Sequence, residues 1–342
     1  MMSKDEMGMS KPAPLAATEV LVRCAERTRR YDFSIWFWGD GIAIDGLQEA
    51  RELAADEASG EHALRFLQNW TEQTPSWTDH LTPGLALVKA VGRDHPSAQR
   101  LAQWLANVPR SPDGAPLYRP DQPQYRHTVW VDSIYHVPPF LAALGGEQRR
   151  DEALEAWKSH MDVLRDPRGP FLRHSFDTGT GVGHGYGWGR GSGWALLGMI
   201  DTLRLMEQPP LWAQQDFAEL AHAVLSVQDC AGMWRTLLHD REAYLESSAT
   251  AFFGAAFTAG VAAGLLGPEF AEAADRAWQA VAGRIDADGS FWGTSACTWA
   301  GAADVDDDQM YRTLPTETNV WGQGSILRFA GERLRAGLEG TQ

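Results

Sequence analysis

The sequence Gly187-Trp188-Gly189-Arg190-Gly191-Ser192-Gly193-Trp194 runs into an apolar segment over residues 192–206. This segment carries little charge on any of its faces, which is typical of a helix packed on both sides. Five more such segments follow loops rich in Trp, Gly, Asp or His, at residues 41–55, 82–91, 131–144, 248–266 and 322–338. The repeated pairing of loop and apolar segment predicts six inner helices of one kind.

A second set of segments is amphipathic and alternates with the first along the chain. These segments lie at residues 16–29, 61–72, 97–107, 149–164, 211–227 and 269–284. Their 3.6-residue periodicity and charged faces predict outer helices, and no stretch alternates with the period of a strand. Six outer and six inner segments in alternation predict an all-α fold, an (α/α)6 barrel of six helical hairpins.

Length and charge limit the classes of protein that fit. Helical barrels can reach 342 residues as one domain, so we predict one catalytic domain over residues 15–338 after a disordered polar tail, residues 1–14. A net charge of −15 argues against nucleic acid or an anionic membrane as a partner. Neither an apolar signal region nor a membrane-spanning run occurs, so we predict a cytoplasmic protein. The sequence does not indicate an oligomeric state.

Cofactor and metal motifs are missing from the sequence. Cys24, Cys230 and Cys297 are too scattered for a disulfide framework or a zinc motif. His174 and His184 have no zinc-binding spacing, and the glycine-rich stretch lacks the strand and the Gly-Lys-Ser of a phosphate loop. We therefore expect no metal and no cofactor.

Tryptophan is unusually frequent, with 15 residues, many of them beside glycine, histidine or aspartate in loops. A flat aromatic face stacks on the apolar face of a sugar ring while its edge stays hydrated. If the inner helices run parallel, the six loops that precede them meet at one mouth of the barrel, where function concentrates. The pattern predicts a carbohydrate cleft at that mouth.

Two aspartates are candidates for acid–base chemistry. Asp132 stands at the head of an apolar segment between Trp130 and Ile134, and such neighbours desolvate a carboxyl and favour the protonated form that a general acid requires. Asp79, in an aromatic loop before His80, could orient water or tune the first acid. For both aspartates the alternative role is that of a helix N-cap.

Other polar groups have more ordinary interpretations. Asp40 fits a turn or cap, Glu246 fits a helix cap, and the acidic run Asp304, Asp306, Asp307 and Asp308 fits a solvated loop, because it lacks an EF-hand's glycine and terminal glutamate. Arg190 is different, because a guanidinium among aromatic residues can pair bidentately with a carboxylate ligand.

Four groups of motifs occur in one order from about residue 30 to residue 332. They are Trp38-Gly39-Asp40-Gly41; His127-Thr128-Val129-Trp130-Val131-Asp132 with Pro139-Phe140-Leu141-Ala142; Trp188-Gly189-Arg190 with Gly193-Trp194; and Tyr244-Leu245-Glu246-Ser247-Ser248. Through them the chain resembles the unsaturated uronyl hydrolases of glycoside hydrolase family 105 and its sister family 88.

The resemblance implies an (α/α)6 barrel and the hydrolysis of an unsaturated uronic acid from the non-reducing end of an oligosaccharide made by a polysaccharide lyase. It implies that Asp132 is the acid and base, and that Trp188, Arg190 and Trp194 bind substrate. His174 and Asp79 match positions of the family with different flanking residues. We take Asp132 and Asp79 as candidate catalytic residues, and as candidate substrate-binding residues Trp38, His127, His136, His174, His184, Trp188, Arg190 and Trp194.

The chain departs from the family pattern at Ser133 and His136, where an acidic residue or glycine and a methionine are expected. His136 lies one helical turn after Asp132, which places it toward the same site. Two alternatives to the hydrolase remain open on sequence. One is an (α/α)6 sugar isomerase or epimerase that uses histidine pairs, and the other is a sugar-binding protein without catalysis.

Overall fold

The structure, a computed structural model, describes residues 15–33, 37–69, 74–298, 300 and 307–339. The tail at residues 1–14, predicted to be disordered, lies outside the described residues. One continuous hydrophobic core takes in side chains from Ala17 near the start to Ala330 near the end of the described chain.

The inner ring consists of helices that contact one another in sequence order. They are α2 (Trp38–Ala54), α4 (Gly84–Val91), α6 (Ser133–His136) with α7 (Pro138–Leu144), α9 (Gly189–Arg204), α11 (Ser247–Ala262) and α14 (Val320–Arg335). The ring closes because α14 packs along α2. Burial agrees with the sequence pattern, since every residue of α9 from Gly189 to Leu203 is buried.

The outer ring lies against this inner ring. It consists of α1 (Ala17–Thr28), α3 (Glu57–Asn69), α5 (Pro96–Asn107), α8 (Glu147–Leu164), α10 (Leu211–Leu225) and α12 (Pro268–Ala282). These helices bury one stripe each; on α12 the stripe includes Phe270, Ala273, Ala277 and Val281, which is the spacing of one helix face. The predicted (α/α)6 barrel is confirmed.

The third inner segment differs from its prediction, because it forms two helices instead of one. α6 ends at His136 and α7 begins at Pro138. Proline has no backbone N–H and fits the first turn of a helix but not its interior. The break leaves α6 as a single turn that carries Asp132 at its head.

An additional helix, α13 (Asp307–Thr313), lies in the loop before α14. The acidic run was expected to be a solvated loop, and this expectation is wrong for Asp307 and Asp308, which begin α13. Asp304 and Asp306 lie outside the described residues. Helix formation here brings Tyr311 to the mouth of the barrel.

Strands are few and short, as predicted. β1 (Thr128–Trp130), β4 (Ser175–Asp177) and β5 (Val182–His184) form an antiparallel sheet with Trp130 opposite Ser175. The others form two-stranded pairs: β2 (Arg165–Asp166) with β3 (Gly169–Leu172), β6 (Trp234–Arg235) with β7 (Leu245–Glu246), and β8 (Thr294–Ser295) with β9 (Thr316–Glu317).

Close backbone approach fixes α6 against α9. A Cβ atom on Gly198 would lie 2.3 Å from the carbonyl oxygen of Ile134 and 2.6 Å from Cα of Tyr135. Only glycine leaves room for this crossing, so the position of the Asp132 turn depends on it.

A buried charged network ties the inner helices together around Arg328 on α14. Its Nη2 donates to both carboxylate oxygens of Asp201 on α9, at 3.0 and 2.9 Å. Asp45 on α2 lies 4.0 Å from Nη1 and accepts a hydrogen bond from Tyr135 on α6. Arg328 is 2% exposed, so its carboxylate neighbours compensate the cost of burying its charge.

Candidate active site

A cleft of about 220 Å³ lies where the loops before the inner helices converge. It is lined by Phe37, Trp38, Trp77, Tyr118, Trp130, Asp132, His174, Trp188, Cys297 and Thr298. These residues come from five of the loops that precede inner helices. The sixth loop, that of Glu246, joins them because the Ser295 amide donates to the Glu246 carboxylate at 2.7 Å. The prediction that the loops meet at one mouth is confirmed.

Asp132 reaches the cleft because β1 ends just before it. The Val131 amide donates to the His174 carbonyl oxygen at 2.9 Å, which places the two residues side by side. Asp132 Oδ2 then lies 3.4 Å from His174 Nε2, and Asp132 is 6% exposed. Asp132 occupies the N-cap position of α6, yet its side chain makes no capping hydrogen bond, so its carboxyl faces the cleft instead.

Asp79 lies in a 3-10 turn, Thr78–Leu81, and is completely buried beside the same site. The hydroxyl of Tyr118 donates to Asp79 Oδ2 at 2.8 Å. Burial, and next the nearby charge of Asp132, raise the pKa of Asp79 well above the usual value. The N-cap interpretation of Asp79 is wrong, because Trp77 occupies that position.

His136 also belongs to this group. Its ring is completely buried, and Nδ1 lies 3.6 Å from Asp79 Oδ1. Burial lowers the pKa of His136 to about 3, so the ring is neutral near pH 7.

Aromatic rings form the walls of the cleft. Trp130 stacks on Tyr118 with centroids 4.2 Å apart, and Trp188 stacks on His174 at 3.8 Å. Trp38 lies across the cleft, and Trp194 packs edge-on behind it at 6.2 Å. Trp194 is completely buried, so it supports the wall of the cleft from behind.

Arg190 lies behind Trp188, with its guanidinium 4.9 Å from that ring. Its Nη1 and Nη2 donate to the carbonyl oxygens of Ser295 and Ala296, each at 3.1 Å. Glu246 lies 4.0 Å from Nη1. In this state the guanidinium fork holds β8 and is 1% exposed, so a ligand carboxylate would have to displace these contacts.

Two predicted histidines are not brought into the cleft. His127 is exposed and sits before β1, with its carbonyl oxygen accepting from the Thr178 amide at 2.9 Å. His184 is half-buried on β5 and does not line the cleft. His184 thus lies on the three-stranded sheet beside the site, and His127 lies at the start of that sheet.

Sequence reasoning did not single out Tyr118 or Tyr311. Tyr118 donates to Asp79, and Tyr311 lies 2.6 Å from His174 Nδ1 through its hydroxyl. Tyr118 stands in a loop, 39 positions from Asp79, and its local sequence does not indicate this contact. No local signal identifies Tyr311, because its contact with His174 spans 137 positions.

Other features of the described residues are less suited to chemistry on sugars. Burial raises the pKa of Cys297 to about 11, so this cleft residue is a thiol and a poor nucleophile. A larger groove of about 590 Å³ between α8 and α10 is lined by Asp151, Glu155, Asp162, Asp216 and Glu219 among others. That groove would repel an anionic sugar, although it is the more spacious of the two.

Within the described residues, no group of three or more His, Cys, Asp or Glu side chains is arranged to hold a metal ion. Across the same residues, no helix combines the length and apolar character needed to span a membrane.

Comparison with known proteins supports a common family. The sequence model of Glycosyl Hydrolase Family 88 matches residues 16–337. The unsaturated rhamnogalacturonyl hydrolase YesR of Bacillus subtilis (strain 168) is 28% identical over 93% of this chain and 95% of its own length. A possible member of the GH105 family from Klebsiella pneumoniae superposes with a TM-score of 0.82 at 20% identity, covering 98% of this chain and 96% of that one.

A third relative is the unsaturated glucuronyl hydrolase of Bacillus sp. GL1, described as responsible for the degradation of glycosaminoglycan. It has a TM-score of 0.73 at 18% identity over 94% of this chain and 96% of its own. The family resemblance drawn from the sequence motifs is thus confirmed. The chain belongs to Glycosyl Hydrolase Family 88 and is a glycoside hydrolase.

Proposed function

We propose that this enzyme releases a 4,5-unsaturated uronic acid from the non-reducing end of oligosaccharides generated by a polysaccharide lyase. The observation that carries the proposal is the position of Asp132, a carboxyl that faces an aromatic cleft with a second buried carboxyl, Asp79, beside it. The relation to YesR, named an unsaturated rhamnogalacturonyl hydrolase, supports the same reaction class.

The reaction begins with proton transfer to the substrate. In the unsaturated sugar the C4=C5 bond carries the ring oxygen, which makes it a vinyl ether. Asp132 gives its proton to C4, and the positive charge develops at C5, where the ring oxygen shares it. Trp130 and Trp188 line the cleft in which this charge develops.

Water completes the reaction. A water oxygen bonds to C5 and gives its proton to the Asp132 carboxylate, which restores the acid. The hemiketal at C5 opens by breaking its bond to the ring oxygen, and the resulting hemiacetal at C1 releases the aglycone as an alcohol. No glycosyl–enzyme bond forms, so carboxylate separation does not predict a stereochemical outcome here.

The dimensions of the cleft favour action on a terminal sugar. Its volume of about 220 Å³ is below the roughly 300–1,000 Å³ typical of larger ligand sites. One ring fits between the aromatic walls, while the remainder of the oligosaccharide extends into solvent.

Two arginines are candidates for recognising the uronate carboxylate. Arg190 was selected from the sequence, and in the structure its fork is engaged with β8. Arg119 lies over Trp77, with its guanidinium 3.9 Å from the ring centroid. It is paired with Asp121 at 3.2 Å, but this pair lies at the surface and the Arg119 side chain remains 19% exposed. Because Trp77 lines the cleft, Arg119 is the cation more accessible to a carboxylate at the rim.

The alternatives raised by the sequence are less consistent with the site. An isomerase that moves protons between two histidines needs both in the cavity, and of His136, His174 and His184 only His174 lines it. A sugar-binding protein without catalysis conflicts with membership of a hydrolase family. A cytoplasmic location and the absence of a metal requirement stay predictions from sequence.

The test is a spectroscopic assay with a panel of unsaturated disaccharides made by different polysaccharide lyases. Hydration of the C4=C5 bond removes its ultraviolet absorbance, and one free aglycone should appear for each double bond lost. Activity should persist in the presence of a chelator. If absorbance is unchanged with every disaccharide, or falls without aglycone release, the proposed reaction is wrong.

A further inference from the structure

Two buried polar atoms, one of His136 and one of Asp79, face each other beside the cleft. The reaction described above gives His136 no role. His136 Nδ1 and Asp79 Oδ1 lie 3.6 Å apart. Neither atom has a hydrogen-bond partner among the described residues, and both side chains are completely buried. A buried donor or acceptor without a partner is unfavourable, so we infer that these two atoms serve as each other's hydrogen-bond partner.

The direction of the hydrogen bond follows from the surroundings of the ring. His136 is neutral, so one ring nitrogen carries the hydrogen. A hydrogen on Nδ1 can reach Asp79, whereas Nε2 is buried without a partner among the described residues. A movement of about 0.6 Å brings the pair to hydrogen-bond distance, and catalytic contacts are often longer in unliganded structures than in complexes.

The consequence concerns the two carboxyls of the site. Asp79 and Asp132 interact electrostatically, and two carboxyls in one poorly hydrated site hold a proton between them. Tyr118 already donates to Asp79 Oδ2. Burial holds the pKa of Asp79 well above its usual value. A second donor, on Oδ1, would oppose that shift, because a carboxylate that accepts on both oxygens is favoured in its ionised form.

We propose that His136 is a positioning residue that donates from Nδ1 to Asp79 Oδ1 and so shifts the shared proton of the two carboxyls from Asp79 toward Asp132. This role rests on the proposed function, because it matters only if Asp132 protonates the substrate. The groups that face His136 are Asp79 from the 3-10 turn, Asp132 from the head of α6, His160 from α8 and the apolar ring of Trp194 from α9.

Three variants separate this role from simple core packing. His136→Asn keeps an N–H at the place of Nδ1, and His136→Met fills the space without a donor. His160→Asn is the matched control, because His160 is also a completely buried histidine with an unpartnered Nε2 but lies on α8. Melting temperature reports folding for all three.

In kinetics on an unsaturated disaccharide, His136→Met should lower kcat at least about tenfold with little change in KM. The limb of the pH profile on which activity falls with rising pH should move to lower pH, since the proton is then held less on Asp132. His136→Asn should restore most of kcat and the wild-type profile. His160→Asn should lower the melting temperature and leave kcat and the pH profile as in the wild type. A wild-type profile in His136→Met, or equal loss in His136→Met and His136→Asn, would overturn the proposal.

A second measurement does not depend on activity. Nitrogen-15 spectra of histidine-labelled enzyme, with the His136 signals assigned by their loss in His136→Asn, report which ring nitrogen carries hydrogen. We expect a neutral ring with hydrogen on Nδ1 and a bare Nε2, and a change of the Nδ1 shift in Asp79→Asn. Hydrogen on Nε2, or a charged ring at pH 7, contradicts the pairing. If no disaccharide is hydrolysed but the Nδ1–H form is observed, the proposed function fails while the pairing stands.

Discussion

His174 Nε2 lies 3.4 Å from Asp132 Oδ2, and this contact orients the residue proposed to transfer the proton. The other ring nitrogen of His174 meets the Tyr311 hydroxyl at 2.6 Å. The face of the ring stacks on Trp188. The imidazole is thus held on its two nitrogens and on one face, so that Asp132 has a fixed neighbour in the cleft.

Asp132→Asn should lose roughly 10²–10⁴-fold in kcat, the usual contribution of one acid–base group, because the amide keeps the shape and removes the proton. Asp79→Asn should lose less, since Asp79 tunes the site without transferring the proton. Both are measured on one unsaturated disaccharide, with melting temperature as the control for folding. Near-normal turnover in Asp132→Asn would remove it from the mechanism, and equal loss in two folded variants would show that the carboxyls act as a coupled pair.

Tyr311→Phe should lower kcat moderately and leave the fold intact. The substitution removes the hydroxyl that fixes His174 Nδ1, so the ring can turn and its contact with Asp132 becomes variable. The measurement is kcat and KM, with Tyr125→Phe as the control, because Tyr125 is an aromatic neighbour of Trp130 outside the His174 contact. Unchanged kcat in Tyr311→Phe would show that His174 is held sufficiently by Trp188.

The two arginine candidates should respond differently to conversion into lysine. Arg190→Lys should lower the melting temperature as well as kcat/KM, because an ammonium cannot reproduce the two-pronged contact with Ser295 and Ala296. Arg119→Lys should raise KM and leave stability nearly unchanged, because Arg119 is a partly exposed residue at the rim. If KM is unaffected in Arg119→Lys and rises in Arg190→Lys, the buried arginine is the one that meets the carboxylate.

Arg328→Met should destabilise the barrel by about 3–5 kcal/mol, the usual consequence of removing one partner of a buried ion pair. Asp201 and Asp45 would stay in the interior without the guanidinium that compensates them. Denaturant unfolding measures the effect. A matched change on the exposed Arg30–Glu26 pair, such as Arg30→Met, should alter stability little, and a similar loss in both variants would argue against a special role for the network.

His160 should make stability depend on pH. Burial lowers its pKa to about 4 from the ordinary 6.5, so between these values the unfolded chain binds a proton that the folded chain does not. The contribution of the His160 titration to the free energy of unfolding is therefore fully present above pH 6.5. It falls by about 1.4 kcal/mol per pH unit as the pH drops toward 4. His160→Gln lacks this titration, so the difference in unfolding free energy between wild type and variant should shrink across that window. A constant difference would show that His160 keeps its ordinary pKa in the fold.

The barrel and its functional loops could both be predicted from the amino-acid sequence. Apolar segments such as residues 192–206 can be buried only with other helices on both sides, and their alternation with amphipathic segments leaves few other arrangements. The aromatic and glycine-rich loops were recognisable because their composition is local. Asp132 was recognisable for the same reason, since its apolar neighbours Trp130 and Ile134 lie close to it in the chain.

The set of side chains that share the cleft could not be predicted from local sequence and follows from the folded arrangement. Tyr118 and Asp79 are 39 positions apart, and His174 and Tyr311 are 137 apart, so no local pattern joins them. Arg190 and Trp194 show the converse. The sequence predicted that both bind the ligand, whereas in the fold both are buried behind the wall of the cleft. Helix periodicity shows which face of a segment is buried, but contact across a ring of helices depends on how loops of different length close over its mouth.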